Sequence, residues 1–265
     1  MNSLVRPPAV AGTFYPEDAA ILAETLRRLL NSARFKASCG PAPKAIVVPH
    51  AGYVYSGPVA ASAYARVATA RGLLERVVIL GPAHTVALEG AAVSGADGFS
   101  TPFGVLEVDS TCRDALLKDG LVSVFDLAHL AEHSLEVQLP FIQFVLGSVK
   151  VLPLLIGTVS TAAVSQLLGR VWGGPETLVV VSTDLSHYHD RETTRRLDSR
   201  TAAAIVACDP EAVSPADACG ACALRGLLSV AAKHDLKVEL LDLRTSADTV
   251  GNPTRVVGYG SFALG

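Results

Sequence analysis

Lys44-Ala45-Ile46-Val47-Val48-Pro49-His50-Ala51-Gly52-Tyr53 is the stretch that decides how this chain folds. Residues 45–48 are four consecutive apolar side chains, three of them β-branched, the composition of a short buried strand. Pro49 has no N–H to give a sheet ladder, so the strand ends there and His50 stands just past its carboxyl end. The same event recurs twice. Arg76-Val77-Val78-Ile79-Leu80-Gly81-Pro82-Ala83-His84 and Leu178-Val179-Val180-Val181-Ser182-Thr183-Asp184-Leu185-Ser186-His187 each deliver a histidine within a few residues of an apolar run. In an open α/β sheet, that edge is where ligand crevices form.

The connections between these runs set the fold class. Gly52-Tyr53-Val54-Tyr55-Ser56-Gly57 reads as a glycine-bounded loop, and Pro58 suits the first turn of an Ala-rich helix ending near residue 70. Strand–helix alternation of this kind favours parallel pairing with right-handed crossovers. Upstream, residues 11–16 read as an extended leading segment. Pro16-Glu17-Asp18 then opens a helix with Ile21, Leu22, Leu26, Leu29 and Leu30 at helical spacing, and Pro41 and Pro43 end the connection that follows. Downstream, residues 91–94 and 105–109 predict a hairpin around residues 99–104. Helices are predicted over 110–118, 128–146 with Pro140 as a bend, 162–171, 191–207 and 218–233. Further strands are predicted over 151–157, 237–243 and 255–262, with Pro153 demoting the first toward an edge or a bulge. The expectation is a single-domain α/β sandwich over residues 1–265, with a largely parallel or mixed central sheet flanked by helices.

Composition agrees with that expectation and excludes several function classes. Half of the 265 residues are hydrophobic, ample for a sizeable core. The net charge of −3, with Lys and Arg scattered, leaves no basic footprint for nucleic acid. No apolar run reaches membrane-span length and the first residues lack a signal-peptide core, so a soluble, cytoplasmic protein with no membrane partner is expected. Five cysteines (Cys39, Cys112, Cys208, Cys219, Cys222) are an odd number in a chain too large to need disulfide staples, which argues for reduced thiols.

Neutral imidazoles are common ligands for zinc, copper and iron, and such sites gather ligands from several loops onto one rigid edge. His50, His84 and His187 fit that description together, although any one of them alone would more simply be a loop histidine bonded to backbone. Asp184 would hold an imidazole by its second nitrogen, bind metal directly, or form an Asx-type turn. Cys219, in Asp217-Ala218-Cys219-Gly220-Ala221-Cys222, falls where a helix begins, and a helix N-terminus favours the thiolate. The C-x-x-C spacing hints at thioredoxin-like redox chemistry, but it comes late in the chain rather than after a first strand. Cys39, Cys112, Cys208 and Cys222 read as small buried residues. A competing motif is His129-Leu130-Ala131-Glu132-His133, the H-x-x-E-H pattern of inverted zinc metallopeptidases, which needs both histidines on one helix face and Glu132 as base.

Pro49-His50-Ala51-Gly52-Tyr53, Gly81-Pro82-Ala83-His84, Thr101-Pro102-Phe103-Gly104, Glu132-His133-Ser134-Leu135-Glu136, Ser182-Thr183-Asp184-Leu185-Ser186-His187 and Ala218-Cys219-Gly220 occur in this order in the Memo family. Six ordered motifs across nearly the whole chain make the resemblance specific. Prokaryotic members of that family are also called AmmeMemoRadiSam system protein B, which implies association with a radical-SAM protein and an AMMECR1-like protein. Animal members are associated with signalling and cell motility. The family's fold is similar to that of class III extradiol ring-cleavage dioxygenases, which are non-haem iron enzymes. The resemblance implies one metal ion, iron or copper with zinc also allowed, held by His50, His84 and Cys219. It places His187 at the dioxygenase's acid/base histidine, with Asp184 and His133 as nearby pocket residues. Tyr53 and Tyr55 would line a pocket for a small molecule or peptide. The dioxygenases complete their ligand set with a carboxylate, whereas this chain offers Cys219, and a thiolate makes a metal softer and more readily oxidised. In this pattern His129 has no role.

Overall fold

In a computed structural model of the chain, residues 4–34, 42–249, 252 and 254–265 are described. Cys39 and Pro41, named above, lie outside the described residues. The architecture is α/β, with a nine-stranded mixed sheet between two helical layers and a small three-stranded sheet at one side.

Four strands form the parallel centre: Ala45–Val48 beside Thr177–Ser182, then Arg76–Pro82, then Lys150–Ile156. These apolar runs are buried on both faces, as strands covered by helices on each side must be. Ile46 and Val48 face a core shared with helices Ala19–Arg34, Tyr53–Val67 and Leu139–Leu146. Ala45 and Val47 face the opposite core, formed with Thr161–Val171, Arg191–Val206 and Ala221–Lys233. The strands directly beside this centre, Val256–Leu264 and Ala91–Val93, are antiparallel to it. Val256–Leu264 pairs with Ala45–Val48, and Val238–Thr245 and His187–His189 pair in turn with Val256–Leu264. The three strands that deliver His50, Asp184 and His84 are thus parallel neighbours, so their carboxyl ends open on one edge.

Four local expectations are corrected. The hairpin pairs Gly98–Thr101 with Gly104–Glu107, while Ala91–Val93 joins the main sheet against Lys150–Ile156. Pro153 is interior to its strand, yet Ala91–Val93 pairs only with Leu155 and Ile156, so no ladder partner stands opposite it on that side. The helix expected over 128–146 is broken into Asp126–Leu130, a 3-10 turn Glu136–Gln138, and Leu139–Leu146. Pro140 starts that last helix rather than bending it. Residues 52–57 are not a loop: the helix begins at Tyr53 behind Gly52, and Pro58 lies inside it, so the turn carrying Tyr53 and Tyr55 is helical. Smaller shifts follow the caps, with Ser160 and Asp190 accepting from first-turn N–H groups of their helices. The last long helix begins at Ala221, so Cys219 precedes the cap Gly220. Among the described residues, no helix is long and apolar enough to cross a membrane.

Candidate metal centre

Hydrogen bonds fix the ring of each histidine at the strand edge. Ser182, the last residue of its strand, donates its hydroxyl to Ser134 C=O (2.6 Å) and accepts from Gln138 Nε2 (2.9 Å). Gln138 is itself oriented, because its Oε1 accepts from Tyr64 Oη (3.1 Å) and its Nε2 also donates to Pro49 C=O (3.0 Å). With its one proton used, Ser182 Oγ accepts from His50 Nδ1 at 3.0 Å, which puts the His50 proton on Nδ1 and turns the Nε2 lone pair toward Cys219 Sγ. His84 reaches the same state by another route. Its Nδ1 lies 2.9 Å from Glu132 Oε1, a carboxylate that can only accept, so His84 Nε2 is left free.

Glu132 is the organising group. Its two oxygens accept from the ring and backbone N–H of His84 and from the backbone N–H groups of His133 and Ser134 (both 2.9 Å), and His133 Nδ1 stands 3.3 Å away. Burial raises its carboxyl, but the hydrogen bonds from His84 and Ser134 outweigh that and hold it down at about 2. Carboxylates that fix a second imidazole nitrogen are a standard accompaniment of metal-ligating histidines.

The result is a group of three imidazoles, His50, His84 and His133, whose ligand atoms lie within 4.8 Å of one another and could hold a metal ion. His84 and His133 stack at 4.8 Å, and His50 meets them edge-on at 5.3 and 5.5 Å. Burial, then the neighbouring His84 and His133, depresses the His50 pKa well below the usual imidazole range, so that ring is neutral and can donate its lone pair. His50 is buried at 2%, while the side chains of His84 and His133 are 32% and 23% exposed, so the group opens to solvent on their side. Phe14 covers His133 at 4.7 Å between ring centroids.

Cys219 Sγ lies 3.3 Å from His50 Nε2. Gly220 permits this, because a Cβ there would stand 2.7 Å from Thr183 Cβ and 2.9 Å from Ser182 O. The sulfur accepts from Asp184 N–H (3.2 Å), and Asp184 Oδ1 in turn accepts from His50 N–H (2.8 Å). Asp184 therefore ties the His50 and Cys219 backbones together, rather than gripping an imidazole nitrogen. The helix terminus does not free a thiolate here: burial, then Asp184, pushes the Cys219 thiol up to about 12. A cation must replace that proton for the sulfur to bind as thiolate.

A model of Memo-like proteins matches residues 6–263. The chain belongs to the Memo family. Similar proteins include MEMO1 family proteins of Aquifex aeolicus, 37% identical with 96% of this chain and 97% of that protein covered, and of Thermotoga maritima, 34% identical with 98% and 99% covered. A MEMO1 family protein of Methanothermobacter thermautotrophicus is 32% identical over 98% of this chain.

The remaining residues singled out in this Memo-family sequence fall into separate places. His187 begins the strand His187–His189, outside the imidazole group, with its ring edge-on to Tyr188 at 5.7 Å. Tyr55 is 39% exposed on the helix that follows His50. Tyr53 is a core residue, 4% exposed, with its hydroxyl donated to Val137 C=O and its ring against Tyr15 and Phe141, though it also borders a cavity of about 650 Å³ with Phe14 and Val54. Glu132, Ser182, Gln138 and Phe14 carry no sequence signal that marks them as site residues. Glu132 was visible inside two motifs, but nothing in the sequence said that it braces His84.

The metallopeptidase pattern fails on geometry. Asp126–Leu130 ends before His133, so the two histidines do not share a helix face, and His129 is buried with Nε2 toward Ala92 C=O (3.3 Å) and its ring against Phe99. His129→Gln is therefore expected to retain metal as the native chain does, measured by metal analysis after dialysis; loss of the metal would restore the peptidase reading. A pH effect follows as well. Burial lowers the His129 pKa from its usual 6.5 to about 4, so folding keeps this ring neutral. Its contribution is full above pH 6.5 and is lost as pH falls toward 4. The Gln variant should flatten the fall in urea-unfolding stability across that window; an unchanged slope would contradict the assignment.

Proposed function

We propose that this Memo-family chain holds one transition-metal ion, iron or copper, with the imidazoles of His50 and His84 and the sulfur of Cys219, and His133 as the further imidazole of the cluster. The reading is supported by the group of His50, His84 and His133, whose ligand atoms lie within 4.8 Å of one another, and by Cys219 Sγ, which is not part of that group but stands 3.3 Å from His50 Nε2. Donors of this kind fit the group: imidazole and thiolate suit iron, copper and zinc, and a carboxylate fixes the rings from behind. When bound, the metal would supply Lewis acidity and redox chemistry toward a small phenol-like substrate. The chain's own residues would do the rest. His187 would move a proton at the open side, Asp184 would hold the His50 and Cys219 backbones in register, and Phe14 would exclude water from His133.

The test is anaerobic loading with Fe(II), a catechol panel, then oxygen. A ring-opened, yellow-absorbing product supports dioxygenase-like chemistry, and no turnover with the metal retained overturns it. A second reading is a non-catalytic module that binds a small molecule or peptide, with a radical-SAM protein and an AMMECR1-like protein as partner candidates. The exposed rings of Tyr55 and Tyr188 beside the site favour it.

A further inference from the structure

The turn that carries Asp184 and His187 is held from behind by a buried acid. Ser186 N–H donates at 3.0 Å to Oδ1 of Asp198, on helix Arg191–Val206, and Ser186 C=O accepts from Gly258 N–H at 2.8 Å. Gly258 C=O accepts in turn from Leu185 N–H at 2.9 Å, and His187 pairs with the neighbouring Val257. Asp198 is 1% exposed, and its Oδ2 occupies the space that a side chain at position 258 would need: a Cβ there would stand 1.8 Å from it. Only glycine lets the carboxylate come this close to the strand. Among the described residues, Asp198 Oδ2 and the buried hydroxyls of Ser186 and Thr194, the latter one helical turn before Asp198, have no hydrogen-bond partner. Burial raises the Asp198 carboxyl to about 6, and the Ser186 N–H only partly offsets the rise. A buried acid with one oxygen unanswered costs stability, so packing alone does not account for it.

We propose that Asp198 is a positioning residue for His187, setting the 184–187 turn through the Ser186 N–H against the cleared face of Gly258. The proposal deepens the metal-site reading and rests on it for the role of His187 as the group that moves a proton. A carboxylate gives Ser186 N–H a stronger acceptor than a neutral side chain would. Without it, residues 185–187 keep backbone hydrogen bonds to residues 257 and 258 alone among the described residues, and the His187 ring loses its fixed approach. Arg195 and Asp248 face Asp198 across a cavity of about 250 Å³, and Asp217 and His189 are its further charged or titratable neighbours.

The test is NMR on the full chain without metal, following hydrogen exchange at Ser186 N–H and the ring protons of His187, identified with a His187→Gln variant. The buried His129 ring, packed on Phe99 away from this turn, is the control for general loosening. D198A should speed Ser186 exchange by about tenfold or more, the loss of one charge-assisted hydrogen bond, and should shift the His187 ring but not the His129 ring. D198N, whose Oδ1 still accepts, should recover most of that loss. D198A combined with G258A refills the space without an acceptor, so exchange should stay as fast as in D198A. In an H189Q background, which removes the neighbouring imidazole, the Ser186 amide shift should titrate with a midpoint of about 6 and lose that step in D198N. Native-like exchange in D198A, recovery in the refilled double variant, D198N as fast as D198A, or a His187 ring that does not move would overturn the proposal. Should D198A fail to fold, a titration step that survives D198N overturns it instead. Metal uptake of the same preparations is measured separately. A chain that takes up no metal yet shows the Asp198-dependent shift of His187 sinks the metal reading and leaves this one standing, and normal uptake with an unmoved His187 does the reverse.

Discussion

Glu136→Ala is expected to destabilise the chain by about 3–5 kcal/mol, the size of loss that follows when one member of a buried ion pair is deleted. Glu136 and Arg6 are 1% and 5% exposed in their side chains and meet at 2.6 Å. The same carboxylate accepts from Ala9 N–H (2.8 Å), Val10 N–H (2.9 Å) and Tyr15 Oη (2.7 Å). Arg6 also donates to the carbonyls of His129 and Glu132, both at 2.7 Å. Deleting Glu136 strands a buried guanidinium and three donors at once. The segment they hold carries Phe14 over His133, so metal retention should fall with stability. Urea unfolding checks the magnitude, with the midpoint read at an unchanged slope. A loss under about 1 kcal/mol would show that the pair is not an anchor. The double change Arg6→Met with Glu136→Leu should cost less than Glu136→Ala, because no charge is left buried.

Glu132→Gln is expected to weaken metal binding by about 10–100-fold, the usual cost of losing a carboxylate behind a ligating histidine. An amide offers one acceptor where the carboxylate offers two, and its NH2 would face an N–H of His84 or His133. Either His84 turns or its proton moves to Nε2, and both remove the lone pair from the cluster. Competition against a chromophoric chelator measures the effect, and circular dichroism of the variant guards against unfolding. An affinity within twofold of the native chain would mean that the rings are oriented by something other than Glu132.

Much of this arrangement is legible in the residues alone, because the strands that deliver the site are apolar runs with abrupt ends. Residues 45–48, 76–82 and 177–182 need no tertiary information to be recognised, and their parallel pairing follows from the helices between them. What escapes is decided by contacts between distant segments. Pro153 reads as an edge residue until the shortness of Ala91–Val93 is known. Residues 128–146 keep a helical pattern, yet Arg6 takes the carbonyls of His129, Leu130 and Glu132, and Glu132 turns back on His133 and Ser134. His133 enters the imidazole group for that reason. Cys219 reads as a thiolate at a helix end, but burial beside Asp184 reverses that tendency. Tyr53 reads as a loop residue because Gly52 and Gly57 bracket it, whereas Gly57 is inside the helix.

X-ray absorption at the zinc edge of the zinc-loaded chain tests the central claim most directly. Convergence of Cys219 with the imidazoles predicts one sulfur scatterer at about 2.3 Å beside nitrogen at about 2.0–2.1 Å, with the sulfur shell lost in Cys219→Ser. A native spectrum fitted by nitrogen and oxygen alone would contradict it.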